Sequence, residues 1–566
     1  MFQLNSGSGA QSEPAEGFLA GLFGPRQPPY DPLEWEAAPF AKRALMSCRS
    51  WALEGFSAPL GIYLVYALKV VAYVLAWMFW CTFTEPTASG SLWMSPVSFQ
   101  KAIVWSMLFE VLGLGCGSGP LSGRYVPPVG GFLYFLRRGT TKLPLLPGLP
   151  VIGGIRRGVL DVVLYAALLV FALLALVNPQ PGLQEFLPLV ILVPVLGIFD
   201  KTLFLAARSE HYWVTIVCFV LADNWIAAAM AVQLAIWFFA GVSKLNHHFP
   251  YVVCVMASNS PFTPWASMRR RLYRNYPTDL NPSGVAVMHA VLGTLLELSV
   301  PIVLLTAVLT GSAATLVAGL TLMVILHLYI TSNVPMGVPI EWNVMVVYGG
   351  FFLFWGHPDI TPLQAGSWPI GLFLFFTMVC VPVIGNLWPH RVSFLLSMRY
   401  YAGNWATSVW LLRKGSHMKL EDNLVKSSPW LQEQIGGLYE PEVAIGMLSR
   451  GMAFRLMHLH GRALVSQVQA AVGDMLEEYD WMDGEIMAGL VLGYNFGDGH
   501  LHNEGLLQAV QQQCGFDEGE LRCIFVESQP LGRGHMDFRV HDAKTGQLSQ
   551  GRMQINDLRR LQAWPE

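Results

Sequence analysis

The chain has 566 residues, 53% of them hydrophobic and only 13% charged, with a net charge of -3 and a mean hydropathy of +0.43. Soluble chains carry about 25% charged residues, so a string of ordinary soluble domains is excluded. The slight negative charge gives no attraction to nucleic acid.

Residues 1–58 are rich in Gly, Pro and Ser, with Pro28, Pro29 and Pro32 close together. They are expected to hold no signal peptide, and to form a mobile start followed by an amphipathic approach to the membrane. From 59 to 389 apolar runs recur, most of them long enough as helices to cross about 30 Å of hydrocarbon. They lie near 59–82, 101–118, 158–178, 185–206, 212–221, 224–244, 284–309, 313–331, 343–356 and 366–387. The run 212–221 is short, and Asp223-Asn224 form the turn into the next, so a re-entrant hairpin stays open there. Basic residues cluster at Lys42–Arg49, Arg124–Arg157, Arg269–Arg274 and Arg391–Lys414, whereas loops 83–100, 179–184, 310–312 and 357–365 hold none. The positive-inside rule then puts both termini in the cytoplasm, with the bundle in the inner membrane. Residues 390–414 read as a linker, and 415–566 as a cytoplasmic α+β domain with its helices first. There, 440–477, 480–493 and 501–513 read as helices, Leu521–Glu527 and His535–Val540 as strands, and His541–Gly546 as a hairpin turn. The expected fold is an all-α polytopic membrane bundle of about ten spans with a small C-terminal soluble α+β domain.

The eight cysteines show no CxxC pair, and no Walker loop, dinucleotide fingerprint or GxSxG elbow is present. Asp498, His500, His502 and Glu504 alternate, but GDGH before LLQAV reads as a helix start with Asp498 or Asn503 as cap. On a helix the two rings would point apart, so no metal is expected. His458 and His460 read as surface or packing residues.

Ionisable residues inside apolar runs are costly and therefore mark function. Asp200 and Lys201 are adjacent and cannot face each other on a helix, so each is a site residue or an interfacial anchor. Lys244 closes the run that starts near Trp225 and is either a snorkelling anchor or a base held out of water. His289, Gly293 and Glu297 share one helical face, with Glu297 either lining a cavity or tying two helices. His327 precedes Asn333 and a Pro335/Gly337/Pro339 loop, and Glu110 is a weaker fifth case. Together these groups supply acid, base and hydrogen-bond donors in a low-dielectric interior.

Four short patterns, in order, resemble the membrane core of the vitamin K-dependent gamma-carboxylase family and its relatives of the horizontally transferred transmembrane (HTTM) type. FDKT at 199–202 is similar to that core's Leu-Asp-Lys-Thr, with EHYW at 210–213 where the family has Asn-His-Ser-Tyr. FFAGVSKLN at 238–246 is similar to Phe-Ile-Ala-Gly-Val-Lys-Lys-Leu-Asp. MHAVLGTLLELS at 288–299 resembles His-Gly-Gly-Gly-Leu-Leu-Leu-Asp-Leu-Ser, and HLYITSN at 327–333 a His segment that leads to Asn-Ser. The resemblance covers 195–355 and implies that Lys244 matches the base that deprotonates a quinol. It also implies an assisting histidine at His211, although the spacing from FDKT is about one helical turn longer. The first lysine of the family's pair is Ser243 here, and the acidic pair that follows is His247 and His248. The large soluble carboxylase domain is absent from the pattern, which puts protein carboxylation in doubt.

The expected function is lysine general-base chemistry on a lipid-soluble substrate, with a quinone or quinol as the suggested cofactor. Lys244, His211 and His327 are the expected catalytic residues, and Asp200, Lys201, His289, Glu297 and Asn333 the expected binding residues. The expected partners are the lipid bilayer and a hydrophobic small molecule. A non-enzymatic membrane subunit, a lipid-handling protein or a transporter of the same fold stays open.

Overall fold

The computed structural model describes residues 24–84, 92–115, 131–333, 339–399, 403–494 and 497–565. The expected mobile start before residue 24, Arg124, the end of the second run at 118, and Pro335 and Gly337 lie outside the described residues. Every one of the ten apolar runs contains helix. Among the described residues, six helices are long and apolar enough to cross a membrane. They are Leu60–Cys81, Val159–Val177, Trp225–Val242, Gly284–Thr310, Ala313–Thr331 and Trp368–Leu387. Four more apolar helices are shorter: Leu183–Phe199, Ser209–Leu221, Phe249–Asn259 and Ile340–Trp355. The chain is thus a mostly helical, multi-pass membrane protein with six candidate spans. Leu64, Leu68, Val71 and Leu75 are exposed along Leu60–Cys81, as a lipid-facing stripe requires.

Pro96–Val111 is the inverse case. Every residue from Ser98 to Val111 is buried, so this helix lies inside the bundle. Small residues set how closely other helices approach. A Cβ on Gly241 would sit 2.7 Å from Leu298 Cδ2, and one on Gly319 equally close to Leu304 Cδ2. At Asp223-Asn224 the turn is capped by Asn224, which accepts from the Ala227 N–H at 3.2 Å. The arm before it, Ser209–Leu221, begins as a π-helical turn over Ser209–Trp213.

The segment 24–58 is ordered into helices Pro32–Ala37 and Phe40–Glu54. Trp35 and Trp51 are fully buried, and the Trp35 indole donates to Arg43 O and Ser47 Oγ. The apolar face of Phe40–Glu54 is covered largely by the helix Pro441–Met457 and by Phe249–Asn259, which is why it reads as amphipathic. A two-stranded hairpin, β1 (Tyr273–Asn275) and β2 (Asp279–Pro282), precedes Gly284–Thr310.

The C-terminal region holds a five-stranded antiparallel sheet in the order β4-β3-β5-β6-β7. Its strands are β3 (Thr407–Arg413), β4 (Tyr479–Asp483), β5 (Leu521–Val526), β6 (His535–Asp542) and β7 (Gly546–Gln554). β3 falls in the stretch expected as a linker, so the sheet starts before residue 415 and a strand precedes the helices. Its residues Thr407–Leu412 are all buried, so it lacks the alternation that marks a half-exposed strand. The stretch 480–493 divides into β4 and the helix Gly484–Leu492, capped by Asp483 on the Glu485 N–H at 2.8 Å. The expected hairpin joins β6 to β7, with Asp542 opposite Gly546. This region is not detached: Trp410, Leu412 and Met482 belong to the same apolar core as the membrane helices.

Candidate functional site

Lys244 follows the last turn of Trp225–Val242 and does not snorkel. Its side chain is 6% exposed, and its ammonium forms an ion pair with Glu297 on Gly284–Thr310. The packing explains the meeting. Gly241 lets its helix close on Leu298, and this brings the residue three positions on beside the residue just before Leu298. The ammonium also lies 5.5 Å from the centroid of the Phe249 ring, a cation–π contact.

His327 is within electrostatic reach of Lys244. Its two nitrogens are both engaged. The Trp237 indole donates to Nε2 at 3.0 Å, so Nε2 is an acceptor, and the proton must sit on Nδ1. Nδ1–H then donates to Asn343 Oδ1 at 2.7 Å, while the Asn343 amide donates to Pro339 O. His327 therefore has no free lone pair. Expected as a catalytic residue, it is held here as a neutral, oriented donor. His211 is held in a related way: the Trp342 indole donates to its Nδ1 at 3.1 Å, which leaves the ring proton on Nε2.

The helix that starts at Ile340 joins these groups. Glu341 forms an ion pair with Lys69, Trp342 binds His211, and Asn343 binds His327. Arg208 is fully buried, has a left-handed backbone (φ 47°) and donates to Glu210 Oε1 at 2.8 Å. Its guanidinium lies 5.4 Å from the centroid of the Trp342 ring. A strained non-glycine residue next to a π turn is a pattern enriched at functional sites.

The remaining expected residues lie apart from this centre. Asp200 caps the short helix Lys201–Ala206 and bonds the Leu143 N–H, the Thr202 N–H and Arg157 Nη2. Lys201 lies toward Asp498 in the C-terminal region. His289 is half-buried, with its ring 5.6 Å from that of Tyr329. Asn333 donates to Tyr329 O at the end of its own helix. So the structure joins Lys244, Glu297 and His327, with His211 linked through Trp342 and Asn343. Asp200, Lys201, His289 and Asn333 have other partners.

Sequence reasoning missed Lys69, Arg208, Glu210 and Glu341. Lys69 sits inside LGIYLVYALKVV and carries the same signal as Lys244, an ion in an apolar run. Arg208 and Glu210 lie between runs, where charges are ordinary, so their burial left no mark.

In the C-terminal region Asp498 accepts from the His500 N–H, and Asn503 accepts from the Gly505 N–H, so each caps a helical turn. His500 Nε2 pairs with Glu527 at 3.0 Å, and His502 Nδ1 bonds Ser408 Oγ at 2.6 Å. Burial alone would lower His500, but the Glu527 charge and hydrogen bond raise it. Burial would raise Glu527, yet the charge and hydrogen bond of His500, with Arg399 behind them, bring it down to about 2. His458 and His460 are buried rather than on the surface, with rings stacked 5.2 Å apart.

The fold and this buried polar centre define a multi-pass membrane protein with paired charges in its interior. The chain belongs to the family described as transmembrane protein of unknown function (DUF3556), whose family model matches residues 20–566. No curated protein and no solved structure matches it. The gamma-carboxylase likeness thus rests on the four short patterns alone.

Proposed function

We propose that the protein is a membrane enzyme that moves a proton on a lipid-soluble substrate of the quinol type, with Lys244 as the base. One observation carries this reading. The Lys244 ammonium is inside the bundle and is held by a single carboxylate, Glu297. In a low dielectric an ion pair lies close in energy to its neutral form, because desolvation opposes both charges. A proton shift from Lys244 Nζ to Glu297 gives a neutral amine beside a neutral acid. The amine then takes the proton of a substrate hydroxyl: the O–H bond breaks, an N–H bond forms, and the new ammonium faces the oxyanion. His327, fixed by Trp237 and Asn343, holds the wall of the site. In this reading the bundle lies in the inner membrane with both termini in the cytoplasm, and residues after the bundle form a cytoplasmic module. The four gamma-carboxylase-like patterns support the quinol as substrate.

A second reading takes Lys244 and Glu297 as a tie between two helices in a non-enzymatic membrane subunit. The close seat of Gly241 on Leu298 favours it. Complementation of a deletion strain separates the two. A tie needs only a cation, so Lys244→Arg restores growth and lipid profile. A base must release its proton, which arginine does not do at a pKa above about 12. We expect Lys244→Arg to fold, insert and fail to complement; full rescue overturns the enzyme reading.

A further inference from the structure

The second group of buried charges has no part in that chemistry. Four of them, Lys69, Arg208, Glu210 and Glu341, lie within electrostatic reach of a fifth, Glu110. Glu110 and Glu210 are 3% and 2% exposed, and Arg208 is fully buried. Lys69 is paired with Glu341, and Arg208 with Glu210. Each cation thus has its own carboxylate, and Glu110 is the one left over. Its Oε1 is buried without a hydrogen-bond partner among the described residues.

The neighbours of Glu110 offer little relief. On Leu60–Cys81, the Tyr73 hydroxyl is spent on Ser106 and Lys69 on Glu341. On Val159–Val177, the Tyr165 hydroxyl donates to Val111 O, and Asp161 is tied to Lys142. On Ser209–Leu221, Glu210 is the partner of Arg208, His211 accepts from Trp342, and Tyr212 and Cys218 are buried. On the helix that begins at Ile340, Glu341 carries a like charge, and Tyr348 is bonded to Trp93 O. From the C-terminal region, Tyr494 faces Leu205 O. A fully ionised cluster would hold three negative and two positive charges. An isolated carboxylate in a dry interior takes up a proton rather than bear its charge there.

We propose that Glu110 is a proton-binding site of the membrane core, holding one proton in the resting protein beside two closed ion pairs. Its ligand is the proton itself. The site stands apart from Lys244 and holds whether or not Lys244 is a base. It makes the protein a carrier of one exchangeable proton within the bilayer.

Dicyclohexylcarbodiimide reacts with protonated carboxyls in apolar surroundings and tests this in the purified full-length protein. Peptide mass spectrometry is expected to find the adduct on Glu110 at neutral pH, less of it as pH rises, and none on Glu210 or Glu341. The infrared difference between wild type and Glu110→Gln is expected to show the C=O stretch of a protonated acid at neutral pH. Glu110→Gln, a neutral amide for a neutral acid, is expected to melt with the wild type. A carboxylate band in place of the acid band overturns the proposal, whatever the labelling gives. So does a large fall in the melting temperature of Glu110→Gln, which would reveal an ionised and paired carboxylate. Protection of Glu110 by sodium at constant pH would assign the site to a metal cation and overturn it equally.

Discussion

Arg157–Asp200 and Lys244–Glu297 are both buried ion pairs, and they differ in what surrounds them. Asp200 also accepts from two backbone N–H groups, and Arg157 also donates to Thr140 and Thr141. Such donors fix the carboxylate in one place. Among the described residues, Glu297 has the Lys244 ammonium as its only cation and no backbone donor. A charge held from several sides is a lock on the chain. A charge held from one side is able to change its protonation state.

The largest expected effect separates function from stability. Lys244→Arg is expected to abolish complementation with no change in melting temperature, whereas Arg157→Lys should lower the melting temperature and leave complementation measurable. If both variants behave alike, the two pairs are not different in kind. The second effect is energetic. Arg157→Met strands Asp200 as a buried anion, a loss of about 3–5 kcal/mol. Lys244→Met leaves Glu297 free to take up a proton, so its cost should be near 1 kcal/mol by the scale of a single neutral hydrogen bond. Denaturation of the two variants side by side reads the difference, and equal losses would show that the two pairs contribute alike.

Beyond the candidate membrane helices the comparison extends to histidines. Burial lowers His458 and His502 to about 3 and His460 well below its ordinary value. A histidine lowered in the fold stabilises above its unfolded pKa of about 6.5 and loses that contribution as pH falls. At pH 5 this amounts to about 2 kcal/mol for each of His458 and His502. His500, raised beside Glu527, has the opposite sign: its contribution is full below about 6.5 and is lost as pH rises through its folded value. Glu527 loses its contribution only below its unfolded value near 4.3. The hydrogen-exchange protection factors over β3 to β7, which correct for the intrinsic pH dependence of exchange, should therefore fall between pH 6.5 and 5, and His502→Gln should blunt the change. Protection factors flat over that interval would contradict the buried neutral state. The smallest effect concerns the helix contact that sets up Lys244. Gly241→Ala should cost about 1–3 kcal/mol by overpacking against Leu298. It should also reduce complementation partly, since Lys244 then stands off from Glu297.

The bundle was legible because apolar runs need no partner to be recognised. All ten runs contain helix, and the ends of Ala313–Thr331 fall where hydropathy puts them. Expecting Glu297 near Lys244 was within reach of sequence, since both are ions in apolar runs. The indole donors Trp237 and Trp342 were not, because tryptophan in a membrane helix is ordinary and its hydrogen bond depends on a neighbour distant in sequence. Strand β3 was hidden for a related reason: burial on both faces erases the alternation that identifies a strand. The run at 101–118 reads only as a span, and the burial of Pro96–Val111 leaves no mark in it, since composition does not distinguish lipid from protein as surroundings. Asp200 and Lys201 stand out as rare charges, but their partners, Arg157 and Asp498, are distant in sequence.

Two residues after Lys244, Asn246 donates to Gln529 O and accepts from the Gly532 N–H, partners 283 and 286 residues further along the chain. A ribosome adds about 5–20 residues per second, so the first of these partners arrives tens of seconds after Asn246 has left the tunnel. For that interval the helices are already in the bilayer while the loop beside the lysine lacks its mates. A nascent chain halted before Gln529 therefore lacks both partners of Asn246. Residues from Gln529 onward complete the neighbourhood of a group laid down near the middle of synthesis.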